Sequence, residues 1–290
     1  MEGNCDSPVP IATQVPSVPG TGGSTSGGIC GDWDGDGRIS TAEDTDGADR
    51  IFGTINAALG PGAGAAAGTG ANFNGTLLIV ASGRFAERIY IGHNPGGPEP
   101  LGTANPGNVT IEAAPGVEAD IDAVLQGDPA GASNTRQSGF GIAVSYIGAD
   151  APFRVVTLRN LTVRNYDIGI WVNNGSRVHI DNCRVENNFN YGIRVDDTAR
   201  AVITNTSVNA TGFRIGTFSG PLTVASGIVV SGNAQARIMN STATQSANGG
   251  IVNNTGNAAN VVLFKVGTFF NTGGDLLGPI TIAPNTNHAQ

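Results

Sequence analysis

Apolar and polar positions alternate along most of the chain, and the alternation repeats about every 23 residues. The segment VVTLRNLTVRNYDIGIWVNNGSR is followed directly by VHIDNCRVENNFNYGIRVDDTAR, with the same order of apolar runs, Asn and Gly-Ile-x-Val. Short runs with a period of two predict β-strands, and the Gly and Asn between them predict tight turns. Phrases of this kind begin at Val109, Val155, Val178, Ala201, Ala236 and Val261.

A unit of this length cannot bury its apolar side alone, whereas stacked copies can. Each strand then pairs in parallel with its equivalents above and below, about 4.8 Å away. The expected inward columns are Leu158/Ile180/Ile203, Val163/Val185/Val208 and Ile170/Ile193/Ile228. At one turn of the successive coils we expect an asparagine column with side chains bonded to each other: Asn160, Asn182, Asn205 and Asn240.

The repeat and the segment before it resemble the pectate-lyase-like superfamily of right-handed parallel β-helices. The opening INAALG…GTLLIVASGRFAERIYI…VTIEAAPG is similar to that family's capping helix and first strands. The resemblance covers roughly residues 50–290. It implies an all-β, single-stranded right-handed parallel β-helix with an N-terminal capping helix. The superfamily contains lyases, hydrolases, epimerases, tailspikes and adhesins, so the resemblance alone does not give an activity.

We divide the chain into three parts. Residues 1–31 are expected to form an irregular tail, residues 32–60 a calcium-binding loop and the capping helix, and residues 61–290 the β-helix. The helix is predicted from RIFGTINAALG, whose apolar residues have helical spacing. They are Ile51, Phe52, Ile55, Ala58 and Leu59.

Composition narrows the range of partners. The 290 residues include 44 Gly and 13% charged residues, and the net charge is -8. Nucleic-acid binding is not expected, because such a chain offers no basic patch to neutralise phosphates. A divalent cation is a more natural partner. No run of 18 apolar residues occurs, so we expect no membrane span.

The sharpest local motif is DWDGDGRISTAE, which matches the EF-hand loop from end to end. It predicts calcium bound by side chains and one backbone carbonyl, that of Arg38. The full set is Asp32, Asp34, Asp36, Arg38, Ser40 and Glu43. The loop is also similar to a dockerin half-repeat, but no second complete copy follows. The alternative interpretation is an acidic surface loop that binds no metal.

The three cysteines bear on the compartment. A disulfide between Cys5 and Cys30 is the simplest pairing, with Cys183 buried and unpaired, and it requires an oxidising environment. No apolar leader follows Met1, and we expect that Met1 replaces a removed signal peptide. Secretion is therefore the favoured interpretation. The alternative is an intracellular protein with three reduced thiols.

Outward-facing residues supply the candidate binding chemistry. Trp171 and Arg194 share an outward column on adjacent coils, with Asn173 and Asp196 nearby. An aromatic ring beside such polar groups is typical of a sugar-binding patch. One exposed aromatic with ordinary charge pairing explains the same pattern equally well. In neighbouring strands Arg159 is expected near Asp181 and Arg164 near Glu186. Ordinary cross-strand charge pairing is the preferred interpretation of Arg164/Glu186.

Two functional hypotheses follow. The first is a non-catalytic extracellular surface, matrix or adhesive component that binds polysaccharide or assembles with copies of itself. The second is a polysaccharide lyase or epimerase acting on acidic glycans, with Arg194 and Asp196 near its cleft. The first is favoured because no acidic cluster recurs on one face of the coils, because His93 and His179 are isolated, and because Lys265, the only Lys, sits at a turn.

Overall fold

A computed structural model describes residues 11–12, 51–52, 55, 59, 75–79, 82–92, 108–123, 137–146, 154–209, 211 and 225–284. Almost all of these residues lie in strands or in the turns between them. One 3-10 turn occurs among the described residues, Ala258–Asn260, and it begins after Asn257, whose side chain accepts a hydrogen bond from the N–H of Ala259. Within the described residues no helix is long and apolar enough to cross a membrane.

The strands are numbered in chain order. They are β1 Ile11–Ala12, β2 Ile51–Phe52, β3 Gly75–Ile79, β4 Gly83–Phe85, β5 Ile89–Gly92, β6 Val109–Ala113, β7 Ala119–Asp122, β8 Gln137–Tyr146, β9 Val155–Arg159, β10 Leu161–Arg164, β11 Tyr166–Asn174, β12 Arg177–Asp181, β13 Arg184–Glu186, β14 Tyr191–Val195, β15 Arg200–Thr204, β16 Ser207–Asn209, β17 Ser226–Val230, β18 Gln235–Met239, β19 Thr242–Thr244, β20 Gly249–Asn253, β21 Val261–Phe264, β22 Gly267–Phe269, β23 Gly274–Leu277 and β24 Thr281–Ile282.

These strands form three parallel sheets, and each coil contributes one strand to each sheet. Sheet A has ten strands in the order β2-β1-β3-β6-β9-β12-β15-β18-β21-β24. Sheet B runs from β4 to β22 and sheet C from β5 to β23, with seven strands each. Parallel pairing of every third strand is the topology of a solenoid, so the predicted parallel β-helix is confirmed.

The predicted register is confirmed as well. Ile180 pairs with Leu158 and Ile203 in sheet A, and the two other inward columns pair residue by residue in sheets B and C. All nine side chains of these columns are 0% exposed and belong to one continuous core. Parallel pairing in register places like side chains directly above each other, so each column continues from coil to coil in one core.

The asparagine column is explained by backbone conformation more than by side-chain bonding. All four of its residues have φ between 48° and 59°, in the left-handed region that Asn tolerates better than most residues. The side chain of Asn182 donates to Asn160 Oδ1 at 2.8 Å, as expected of a ladder. The ladder stops there, because Asn205 donates instead to Asp181 Oδ1. The expectation of a continuous ladder was therefore only partly right.

The glycine of each Gly-Ile-x-Val phrase lies where the coils approach most closely. A Cβ on Gly192 would lie 2.3 Å from Val208 Cγ1 and 2.7 Å from the carbonyl oxygen of Gly227. The backbone oxygen cannot move without breaking the sheet, so only glycine fits. The repeat of this phrase is thus a packing requirement of the stack.

The N-terminal end differs from the sequence-based expectation in two places. Ile51–Phe52, predicted as helix, is strand β2 and pairs with β1. Strand β1, Ile11–Ala12, lies in the segment predicted to be an irregular tail and pairs with both β2 and β3. Ile55 and Leu59 are helical, as predicted, and are 0% and 2% exposed in the core. These residues cover the first coil.

Candidate binding site on the outer face of sheet C

The outer face of sheet C carries the patch predicted from sequence. Trp171 on β11 pairs with Arg194 on β14, which confirms their shared outward column. Asp196 directly follows β14 and contacts both side chains. Asn173 does not join them in the same way, because it is 7% exposed and its Oδ1 accepts the N–H of Asn174 at the end of β11. The structure thus brings three of the four predicted residues together.

Asp196 is the centre of this group. Its Oδ2 accepts the indole Nε1–H of Trp171 at 2.9 Å, and its Oδ1 accepts the hydroxyl of Ser231 at 2.7 Å. Arg194 Nε lies 2.5 Å from Oδ2 without the angle that a hydrogen bond needs, so this contact is an ion pair. Asp196 itself is 6% exposed. A buried carboxylate with these partners serves to fix the indole and the guanidinium in place.

Two aromatic rings hold Arg194 from the sides. Its guanidinium carbon lies 5.5 Å from the centre of the Trp171 ring and 5.1 Å from that of Tyr191. Cation–π contacts at this distance add to the ion pair with Asp196. The side chain of Arg194 remains 33% exposed. The arrangement therefore presents a fixed positive charge at the surface of an otherwise acidic protein.

An aromatic row continues from this group along the solenoid axis. The rings of Phe140 and Trp171 are 5.7 Å apart, and those of Tyr90 and Phe140 are 4.6 Å apart in an edge-to-face arrangement. Sequence reasoning missed Tyr90, Phe140, Tyr191 and Ser231. A signal was present for two of them, because Phe140 and Tyr191 each directly precede a Gly-Ile-x-Val phrase and are brought into register through Ile168.

A second polar cluster lies on the outer face of sheet B around Arg164. The predicted pair is present, but Arg164 Nη1 is 3.7 Å from Glu186, whereas its Nε is 3.2 Å from Asp122 and its Nη2 contacts Asp120. Asp122 is 0% exposed and also contacts Arg84 at 3.4 Å. Burial raises the pKa of Asp120, and Arg164 opposes that shift. Sequence reasoning missed both aspartates because their strand, β7, lies outside the phrases that recur along the chain.

An open groove of about 800 Å³ runs beside this cluster. Its walls are the turn at residues 114–118 and the asparagine column. The charged side chains that line it are Glu118, Asp120, Arg164, Arg184 and Glu186. No aromatic ring lines this groove among the described residues, and most of its charges are paired with each other. It therefore lacks the stacking surface that the sheet C site has.

Comparison with known proteins bears on the fold. The sequence profile of the family described as "Right handed beta helix region" matches residues 121–266, half of the chain. The chain belongs to the right-handed β-helix family. No curated protein and no solved structure matched it. Membership fixes the handedness of the coils, and it leaves the activity to be argued from the site.

Other predicted site residues of this β-helix protein lie outside the described residues. These are the calcium ligands Asp32, Asp34, Asp36, Arg38, Ser40 and Glu43 and the disulfide pair Cys5 and Cys30. They stay predictions. Among the described residues no group of three or more His, Cys, Asp or Glu is arranged to hold a metal ion.

The third cysteine is described. Cys183 is a free thiol, 1% exposed, within the core, as expected. It lies 3.5 Å from the carbonyl oxygen of Leu158 and 3.4 Å from that of Asp181. Burial raises its pKa to about 12, so the thiol stays protonated and unreactive at neutral pH. Cys183 is therefore a small packing residue of the core.

Proposed function

We propose that this β-helix is a secreted, calcium-binding protein of the pectate-lyase-like superfamily that binds an acidic polysaccharide without cleaving it. The observation that supports the proposal most is Arg194, fixed by Asp196 and two rings while a third of its side chain stays exposed. The low content of charged residues and the complete EF-hand-like loop support an extracellular role.

The chemistry of the site favours an acidic sugar. A guanidinium offers two parallel N–H groups that match a carboxylate, and a preorganised Arg loses little entropy on binding. Rings beside it can cover the apolar face of a sugar. The protein as a whole carries a net charge of -8, so a general attraction for polyanions is not available. Binding of a uronate therefore depends on this local group.

Binding is favoured over cleavage for a related reason. A lyase needs a base to remove a proton from the sugar, and an arginine serves only if it can lose its own proton. Arg194 is held in place by a buried carboxylate at 2.5 Å and by two aromatic faces, and no described side chain beside it supplies another base. Its geometry suits recognition of a carboxylate better than abstraction of a proton.

Titration calorimetry tests the proposal. Oligomers of pectate and alginate should bind the protein, whereas neutral oligosaccharides of the same length should bind far more weakly. Arg194→Gln should weaken binding about tenfold or more, because a charge-assisted contact is lost. The matched control is Arg184→Gln. The side chain of Arg184 lies on sheet B and is 68% exposed, so this variant should bind the oligomers as the parent does.

Two results would contradict the proposal. If Arg194→Gln and the parent bind equally well, Arg194 does not belong to the glycan-binding site. Absorbance from unsaturated sugar ends, appearing on incubation with these oligomers and calcium, would show a lyase and make the non-catalytic role wrong.

The calcium part is tested separately. The parent should release heat on titration with calcium, and Asp32→Ala should not, since the first carboxylate of the loop is lost. The glycan measurement repeated after chelation then shows whether calcium takes part in binding the glycan or only supports the fold.

A further inference from the structure

Large apolar side chains are exposed at one place in the described part of the molecule. They are Phe270, Leu276 and Ile282, at 78%, 37% and 68% exposed, and all belong to the last coil. Single exposed apolar residues are ordinary on protein surfaces, but a group confined to one end of a solenoid is not.

Two of these side chains occupy inward positions of the stack. Leu276 pairs with Ile251 and so continues the buried column of sheet C, while Ile282 pairs with Leu263 and continues that of sheet A. In every coil further inside, the described side chains of these columns are at most 4% exposed. The core thus reaches the end of the solenoid without a cover among the described residues.

The backbone at this end is equally open. Strands β22, β23 and β24 are the last strands of sheets B, C and A, respectively, and each has a described partner on one side only. Free strand edges present rows of N–H and C=O groups that accept another strand. Only one charged residue, Asp275, occurs between Val266 and Pro284, although the whole chain carries a net charge of -8. The usual protection of an edge by charge is therefore weak here.

We infer that this C-terminal end face, made of the free edges of β22 to β24 with Leu276 and Ile282, binds the same face of a second copy. Three strand edges around an apolar centre are matched best by another end of the same kind. The N-terminal end offers no such apolar centre, because the inward side chains of its first coil are buried and Ile55 and Leu59 pack into the same core. Contact between two C-terminal ends is isologous, so it closes as a dimer and does not grow into a filament.

Contact between two C-terminal ends also keeps the electrostatic repulsion between the two acidic copies small. The surface that carries most of the charged side chains lies along the sides of the solenoid, so two copies that meet end to end keep those charges apart. An apolar, nearly uncharged end buried against its equivalent removes Leu276 and Ile282 from water in both copies.

Sedimentation velocity of the full chain over a wide concentration range tests the inference. The parent should sediment as a monomer–dimer equilibrium. Leu276→Lys and Ile282→Lys should each weaken dimerisation about tenfold or more, because an unpaired ammonium would be buried in the contact. His179→Lys is the control, since this residue is exposed in the middle of sheet A and its replacement should leave the equilibrium unchanged.

The outcomes separate cleanly. Circular dichroism shows whether each variant keeps its strands, and the Ile282 variant is expected to do so because its side chain is mostly exposed. A monomer at every concentration overturns the inference, as does a ladder of higher polymers, which requires a head-to-tail contact. A dimer that both lysine variants retain places the contact elsewhere and also overturns it. None of these results depends on glycan binding.

Discussion

The two ends of the solenoid contain similar residues in equivalent inward positions, but these side chains are buried at the N-terminal end and exposed at the C-terminal end. In the first coil the inward side chains are at most 1% exposed: Leu77, Ile79, Phe85, Ile89 and Ile91. In the last coil Leu276 and Ile282 are 37% and 68% exposed. Burial in a stack depends on whether a further layer covers the side chain, and the alternation within a strand does not reveal that layer.

The ends also differ in how neighbouring coils are joined. Within the described residues every ion pair connects side chains between Arg84 and Asp196. Toward the C-terminus the coils are joined by backbone ladders, apolar columns and small polar side chains. Arg159 shows the first kind of link, because it contacts Glu112 on one neighbouring strand and Asp181 on the other.

The largest effect is expected from the covered end. Phe85→Ala should lower the free energy of unfolding by about 3–5 kcal/mol, since a cavity is left in a closed core. The matched change Ile282→Ala should cost less than about 1 kcal/mol, because the side chain is largely in contact with water already. Urea unfolding of both variants at low protein concentration, where dimers are absent, gives the two values. Similar losses would mean that the ends are equally closed.

The next effect concerns the ion pairs. Arg164→Met should cost about 1–3 kcal/mol, because Asp122 is fully buried and would keep only part of its charge compensation. Arg237→Met, in the half without described ion pairs, removes an exposed side chain of sheet A and should change stability by less than about 0.5 kcal/mol. The same urea experiment compares them. High salt should narrow the difference only slightly, since buried pairs are poorly screened.

A smaller and stabilising effect is expected at the last turn of the asparagine column. Lys265 occupies that position with φ at 50°, which a Lys side chain adopts at a cost. Lys265→Asn should raise the free energy of unfolding by about 0.5–1 kcal/mol and so make the last coil more like the inner ones. Lys265→Gln removes the same charge without favouring this conformation, and it should gain little. An equal gain in both variants would point to charge instead of backbone strain.

The sequence was sufficient for the architecture because the solenoid is built from local, repeated information. The positions of Ile180, Val185 and Ile193 follow from a period of two within strands and of about 23 between coils. The same register predicted the neighbours Trp171 and Arg194. It did not predict that both would be bound by Asp196, since that contact depends on how the chain turns after β14.

What the sequence could not supply are features that depend on other parts of the chain. The helical spacing of Ile51 and Phe52 is overridden by pairing with a distant strand, and tertiary pairing often outweighs local propensity. The aspartates around Arg164 come from a coil whose spacing departs from the repeat. The exposure of Leu276 follows from its place at the end of a stack.

The smallest effect is a dependence of stability on pH in the half of the solenoid that contains the ion pairs. Asp181 accepts hydrogen bonds from the hydroxyl of Thr204 at 2.7 Å and the amide of Asn205 at 3.0 Å, and Arg159 lies 3.3 Å away. These contacts, led by Thr204, lower the pKa of Asp181 from 3.8. A carboxylate whose pKa is lowered by folding stabilises the protein above its unfolded pKa, and this contribution is lost as the pH falls through the folded pKa.

The parent should therefore exceed Asp181→Asn in stability by about 0.2–1 kcal/mol at neutral pH, because the group is partly exposed. The difference should shrink below about pH 4 and vanish near full protonation. Thermal unfolding of both proteins between neutral and acidic pH measures it. The opposite pH dependence is expected for Asp120→Asn. Burial raises the pKa of Asp120, so its ionised form disfavours folding, and the parent should lose stability relative to this variant as the pH rises. Parallel pH curves for the parent and Asp181→Asn would show that the hydrogen bonds to Asp181 do not act through its charge.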